Sequence, residues 1–600
     1  MRTLILTCLI LASCVSTRNL TDPERSRLNA LNRIMDEYFE TSLALNPLFA
    51  SSIGDHRYDA DLAITVSDEY RTKSKAAIED ALARIHKLGC VDLPESSLYS
   101  CLTFETELAN SLNLMKADLD PLMSFNQFSS FFLDFAEVAS GSSYVTFDTA
   151  NDYRNFISRM NKVPAVLKAA EDKMREGVKK KIVIPRALAL KGIKQLKNLL
   201  NAKKEESVFY KPLSRFPEAV SAAERKAITP DYEKAIRESA IPAYQRFLSF
   251  IQKDYLPHTR KTSGIGALPG GKEYYLALAR NHTTTSLTPD EIHALGLKEV
   301  ARIRGELETV KKEIGFKGKL TDFFKSLRTD PALYPFKTHE SVLAAYEKIH
   351  QTLMAKVPEH FHLLPQAKFE IREVEKFKAD TSGEAYQNPS EDGKRPGIFW
   401  VPIPDPAKYP KKSMEALFLH EAIPGHHFQI ALQQELDLPR YRKFNGNNAF
   451  VEGWGLYAES LGAELGIYRD PYSRIGRLEY EMHRALRLVV DTGMHWKGWS
   501  REKAIAYCLE NEPMGKNDIV TEIERYMAIP GQALAYKIGE LKLQELKAWA
   551  KATLKDRFRD ADFHDAVLEA GPLPLSVLES RIHAKIEALK GSSPGATAKN

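Results

Sequence analysis

The feature that most constrains this chain is a helical spacing of apolar residues that returns in segment after segment. In "LTPDEIHALGLKEVARIRGELETVKKEIG" (287–315), Val300, Ile303, Leu307, Val310 and Ile314 form one stripe, with the three-or-four-residue steps that one face of a helix requires. Thr288 and Glu291 around Pro289 supply a capping box at its start. "TDPERSRLNALNRIMDEYF" (21–39) opens with Asp22 before Pro23, a cap and first-turn pair. Leu28, Leu31, Met35, Tyr38 and Phe39 then share a side. The same period runs through 343–356, 413–435, 450–466, 474–495 and 533–555. Strand signals are few: "AKFEIREVE" (367–375) alternates, and "PGIFWVPIP" (396–404) is a short apolar run between prolines. The expectation is a mainly α, large multi-helical fold with a small β-sheet just before residue 420.

A chain of 600 residues, 44% hydrophobic, builds more than one core. The Gly- and Pro-rich stretch "HTRKTSGIGALPGGKEYY" (258–275) divides an N-terminal helical part (20–260) from a C-terminal part (261–590) that carries the chemistry. Its Gly264-Ile265-Gly266 lacks the βαβ context of a dinucleotide site. A net charge of +5 gives no reason to expect nucleic acid, and the basic stretch 174–204 reads as a solvated helix face. Residues 1–19 hold one early arginine, an apolar run too short to span a bilayer, and Leu11-Ala12-Ser13-Cys14. This reads as a lipoprotein signal with Cys14 as the lipidated residue. Localisation in a bacterial cell envelope follows, anchored by that lipid alone; Val15 after Cys14 favours the periplasmic side of the outer membrane. Residues 591–600, "GSSPGATAKN", read as a disordered tail. An oxidising compartment permits a Cys90–Cys101 bridge without establishing it. With no CxxC pair, any metal must use histidine and carboxylate ligands.

The chemistry concentrates in "LHEAIPGHHF" (419–428). Zinc hydrolysis needs three protein ligands, an open position for water and a base beside it. His420 and Glu421 supply a ligand and a base, because adjacent side chains on a helix diverge. The second histidine of such a site belongs four residues on, about 400° around the helix. Here that position is Pro424, which breaks the turn. Gly425 follows, with backbone freedom other residues lack. On a straight helix His426 falls off the His420 face, and His427 lies on it but roughly 10 Å further along. A loop at Pro-Gly brings His426 back as the second ligand, with His427 the alternative or a substrate-side group. The third ligand comes from "NAFVEGWGLYAESLGAELG" (448–466). Glu452 sits there among Val451, Trp454, Leu456 and Tyr457, where a carboxylate is costly unless paired or metal-bound. Glu459, two turns on and on the same face, braces a ligand from behind.

"LFLHEAIPGHHFQ", "VEGWGLYAESL", "DTGMHWKGWS" and "IPGQALAYKIGE" resemble the bacterial domain-of-unknown-function family eight-eight-five. "NPLFASSIGDHRYD" (46–59), "LPGGKEYY" (268–275) and "LTPDEIHALGL" (287–297) also match its pattern. That family looks like the gluzincin metallopeptidases, helical enzymes with a deep cleft. The resemblance implies a two-lobed metallopeptidase-like fold, Zn2+ held by His420, His426 and Glu452, and Glu421 as general base. The departure from the gluzincin pattern is a two-residue Ile-Pro insertion between the histidines. Comparable downstream residues imply oxyanion-stabilising roles for His495 and Tyr536. Asp491, one turn before His495, is placed to orient it. Arg484 and Arg487 on the same helix are candidates for a bidentate grip on a substrate carboxylate, and "GIFWVPI" for aligning an extended peptide by strand addition. The expected function is a zinc-dependent peptidase acting on short peptides. A non-catalytic metal- or peptide-binding envelope lipoprotein and a zinc hydrolase of non-peptide amides are the alternatives. Serine and cysteine hydrolase chemistry lacks a GxSxG elbow or a suitable thiol.

Overall fold

The computed structural model describes residues 21–91, 93–374, 383–389 and 395–591. The leader with Cys14 and the tail from residue 592 lie outside them. Helix dominates, as the apolar periodicity requires. The helix Asp22–Leu45 starts one residue earlier than its Asp22-Pro23 pair suggests: Thr21 is the N-cap, in a capping box with Glu24. The longest N-terminal helix, α1 (Ala150–Lys180), lines a core of Phe135, Tyr153, Phe156, Met160, Tyr232 and Phe247. Arg186–Asn201 follows it, burying Leu188 and Leu196 beneath its lysines. In the C-terminal part, α2 (Pro289–Glu313) begins at the expected Thr288–Glu291 box.

Three strands follow: β1 (Phe369–Glu373), β2 (Ala385–Gln387) and β3 (Gly397–Val401), in the order β1-β3-β2. β1 runs parallel to β3, Phe369 opposite Gly397, and β2 runs antiparallel, Ala385 opposite Trp400. The sheet leads into α3 (Met414–Glu421), α4 (His426–Glu435), α5 (Asn448–Ser460), α6 (Pro471–His495) and α7 (Ala535–Leu554). The apolar stripe of α2 (Val300, Ile303, Leu307) packs with Leu478, Met482 and Val489 of α6. Lys537 of α7, fully buried, reaches Glu540 at 2.6 Å, Glu481 of α6 at 2.8 Å and Glu299 of α2 at 3.2 Å. A buried ammonium is tolerable only with such partners, and this one ties three helices together.

The two parts of the chain share cores. Tyr99, Leu122 and Ile182 join the cluster built around Phe418, Trp454 and Tyr457. Tyr441, from the link between α4 and α5, enters the N-terminal cluster of Leu31, Phe39 and Phe104. Cys90 and Cys101 are disulfide-bonded with their Cα atoms 5.7 Å apart. Among the described residues no helix is long and apolar enough to cross a membrane.

Candidate metal centre

The periodic run 413–435 is two helices, because Pro424 cannot supply the N–H that would continue α3. The Ile423–Pro424 peptide is cis, and the amide of Phe428 reaches back to the carbonyl of Ala422 at 3.3 Å, a wide turn instead of a helical one. Gly425 is required by contact: a Cβ there would lie 1.9 Å from the His420 carbonyl oxygen and 2.2 Å from that of Leu419. The indole N–H of Trp454 on α5 donates to the Pro424 carbonyl at 2.8 Å and pins the loop.

That loop returns His426 to His420, their ring centroids 4.7 Å apart and nearly perpendicular. Glu452 of α5 completes a triangle: its Oε2 stands 3.5 Å from Nε2 of His420 and 3.5 Å from Nε2 of His426. These separations exceed a good N–H···O bond of ~2.7–3.2 Å. They match the edge of a tetrahedron with bonds of ~2.0–2.1 Å, about 3.3–3.4 Å. Glu421 also sits here; its carboxylate and the imidazoles of His420 and His426 offer atoms within 4.8 Å of one another. Glu452 is the carboxylate whose one oxygen stands equidistant from both Nε2 atoms, which makes it the candidate third ligand ahead of Glu421.

His420 donates from Nδ1 to Glu459 at 2.8 Å, which fixes the tautomer and leaves Nε2 facing Glu452. Nδ1 of His426 meets no protein acceptor. The charges also fit a cation. Among the described residues, Glu421, Glu452 and Glu459 form no ion pair with lysine or arginine, while Glu459 is 1% exposed. Burial opposes a charge on His420, yet Glu452 and Glu459 outweigh it and hold its pKa up at about 9. Three carboxylates against two imidazoles make this side of the pocket locally negative, the sign a bound cation would offset.

His427 points away from this cluster. Its ring lies 4.8 Å from that of Phe369 on β1, and its Nδ1 shares a 2.9 Å hydrogen bond with the Tyr386 hydroxyl. Burial lowers its pKa to about 4, so it packs neutral beneath the sheet, neither a ligand nor a substrate group. His495 is not at the site either. It is 1% exposed, accepts from the Ile265 amide at Nδ1 (3.0 Å) and faces the Tyr526 carbonyl through Nε2 (3.1 Å). Both ring nitrogens are committed, so it has no donor for an oxyanion. Gly264 and Gly266, where a Cβ would fall 1.9 Å from Met494 O and 2.1 Å from His495 O, let the linker press onto this helix end. Asp491 does not orient His495; it accepts from the Tyr275 hydroxyl at 2.5 Å and from the Gly531 amide at 3.2 Å. "GIFWV" is the middle strand, paired on both sides, so it has no edge for a peptide. The edge strand lining the pocket of His420 and His426 is β2.

Tyr536, Arg484 and Arg487 do reach the site. They line one pocket of about 390 Å³ with His420, Glu421, His426 and Glu452. Arg525, Glu384, Tyr386 and Asn388 line it too, and sequence reading missed them. Arg525 lies on a helix whose pattern gave no hint of chemistry. β2 is three residues long and shows no alternation. The guanidinium of Arg487 stacks 4.4 Å over the ring of Tyr536, and that of Arg484 lies 4.7 Å over Tyr480.

Among known folds, the crystal structure of a "putative lipoprotein" from Colwellia psychrerythraea is similar at 28% identity and a TM-score of 0.87, over 94% of this chain and 99% of that one. A "putative lipoprotein of unknown function" from Shewanella oneidensis shares the fold at 17% identity and a TM-score of 0.70, over 92% of this chain and 99% of that one. No curated protein matches. The profile described as "Bacterial protein of unknown function (DUF885)" matches residues 47–582, and a match over that much of its length makes the chain a member of the DUF885 family.

Proposed function

We propose that the protein is a zinc-dependent peptidase of the bacterial cell envelope that cleaves short peptides. The observation that carries this reading is the triangle of His420, His426 and Glu452 with a fourth group, Glu421, beside it. A structural zinc site is closed by four protein ligands, whereas a catalytic one keeps three and an open position. Carboxylate, imidazole and no thiolate is the donor set of hydrolytic zinc. When bound, zinc supplies Lewis acidity that makes water acidic near neutral pH and polarises a carbonyl.

This chain's own residues divide the remaining work. Glu421 takes the proton of the attacking water and returns it to the departing amine. Glu459 holds His420 in the tautomer that presents Nε2. Tyr536, on the wall of the same pocket, donates its hydroxyl to the oxyanion that forms on the peptide carbonyl. Cys14, lipidated once the leader before it is removed, anchors the chain, a reading supported by the similar lipoprotein-like structure from Colwellia psychrerythraea. The Cys90–Cys101 bridge agrees with an oxidising compartment.

The test is hydrolysis of a mixture of short peptides by the purified protein, with and without a chelator, beside the Glu421→Gln variant. We expect chelation to abolish cleavage and zinc to restore it. Glu421→Gln should retain its zinc and lose at least about a hundredfold in rate, the scale of a general base. Undiminished activity in that variant refutes the assignment.

A further inference from the structure

The pocket has two walls of opposite character. One holds the zinc ligands and Glu421; the other is built from Arg484, Arg487, Arg525 and Tyr536. On the second wall every guanidinium has a buried nitrogen with no acceptor: Nε of Arg484, Nη1 of Arg487 and Nε of Arg525. Buried donors left unsatisfied are rare and costly, and three on one wall leave its positive charge short of protein acceptors.

The protein does not supply it. Arg487, 5% exposed, spends its other nitrogens on the Tyr526 hydroxyl (2.9 Å), Glu522 (3.1 Å) and His483 (3.2 Å). Arg525 shares Glu522 at 3.5 Å. Arg484 has no carboxylate partner among the described residues; its Nη1 donates only to the Tyr480 carbonyl, at 3.4 Å. Two of the three guanidiniums therefore share one carboxylate, Glu522, and Arg484 has none. Glu384, elsewhere on the pocket wall, is pushed up toward its neutral form, chiefly by burial. Behind the arginines the structure is closed: Tyr526, His483 and Glu512 are all buried, with His483 and Glu512 bonded at 2.8 Å.

We propose that this wall binds the C-terminal carboxylate of the substrate, so that the enzyme removes one or a few residues from the C-terminal end of short peptides. The planar guanidinium fork suits a carboxylate in a way an ammonium does not. A volume of about 390 Å³ lies toward the small end for pockets that enclose a ligand, ~300–1,000 Å³. That volume suits a short chain end. The proposal rests on the peptidase reading, but its recognition step can be tested without turnover.

The experiment is titration calorimetry of the zinc-loaded Glu421→Gln protein with N-acetyl-trialanine and with its C-terminal amide. The free acid should bind at least about tenfold more tightly, the effect of one charge-assisted hydrogen bond. Arg484→Gln should bring acid and amide together without altering zinc content. Arg487→Gln should do the same, and Arg487→Lys should recover little of the preference. Because Arg487 is buried and its replacement can unfold the protein, Arg484→Gln is the deciding variant. Equal binding of acid and amide, no binding of either, or a preference that survives Arg484→Gln overturns the proposal. So does wild-type cleavage of an amidated peptide as fast as of its free acid. Should the acid bind preferentially while wild type cleaves neither peptide, the peptidase reading falls and the carboxylate site stands.

Discussion

Asp491 is a carboxyl group with no solvent exposure and, among the described residues, no ion-pair partner, held by the Tyr275 hydroxyl and the Gly531 amide. Burial pushes its pKa up to about 7, more than those hydrogen bonds pull it down. Its unfolded value is about 3.9. Between the two, the native state keeps a proton that the unfolded chain has released, so stability falls as pH rises from about 4 to about 7. Asp491→Asn keeps an acceptor for Tyr275 and cannot ionise. Its melting temperature relative to wild type should climb between pH 5 and pH 8, by an amount on the order of 1–4 kcal/mol in stability. A difference that stays flat across that range contradicts the buried-acid assignment. The same residue marks a limit of sequence reading. One-turn spacing put Asp491 beside His495, but spacing does not say which neighbour each side chain meets. Arg484 and His495 are eleven residues apart, about 16 Å along a helix, so one small pocket cannot take both. The convergence of His420, His426 and Glu452 was easier to foresee, because a Pro-Gly break between histidines and an acid in an apolar run each need a chemical reason.

At the scale of elements, α5 shows why "EGWG" carries two glycines. A Cβ on Gly453 would fall 2.5 Å from Cα of Gly539 in α7, and one on Gly539 would fall 1.9 Å from Ala449 O. The backbones of the two helices touch there. Gly455 faces the other way, with its would-be Cβ 2.9 Å from Cε1 and 3.0 Å from Nε2 of His420. The two substitutions should therefore separate. Gly453→Ala meets backbone that cannot yield and should cost about 1–3 kcal/mol or more by overpacking. Gly455→Ala meets a side chain, and should leave the melting temperature closer to wild type while weakening zinc affinity about 10–100-fold, as displaced ligand orientation does. Thermal melts and competition with a chromophoric chelator read the two effects; equal zinc affinity in Gly455→Ala and wild type excludes the contact as a determinant of His420. The long helices were legible because their stripes and caps agree. The split between α3 and α4 lay in Pro424-Gly425, which periodicity alone passes over. β2 escaped because three half-exposed residues carry no pattern.

For the whole molecule, the disulfide and the candidate metal site are connected through packing. Cys101 lies on the helix Glu95–Ala117. From that helix Glu107 accepts from the Tyr441 hydroxyl at 2.5 Å, and Ser100 accepts from Arg442 at 3.2 Å. Tyr441 and Arg442 belong to the link between the helix bearing His426 and the helix bearing Glu452. The N-terminal helices thus grip the segment that sets the spacing of His426 and Glu452, and no periodicity in either part foretold that grip. Cross-linking residues 11 apart removes enough unfolded-state freedom to stabilise the protein by about 3 kcal/mol. Reductant should therefore lower the melting temperature of the wild type and leave a Cys90→Ala/Cys101→Ala variant unchanged, with zinc retained by both below their melting transitions. A wild type that melts identically with and without reductant would place the stability of this region in its apolar contacts around Tyr441 and Phe104 instead.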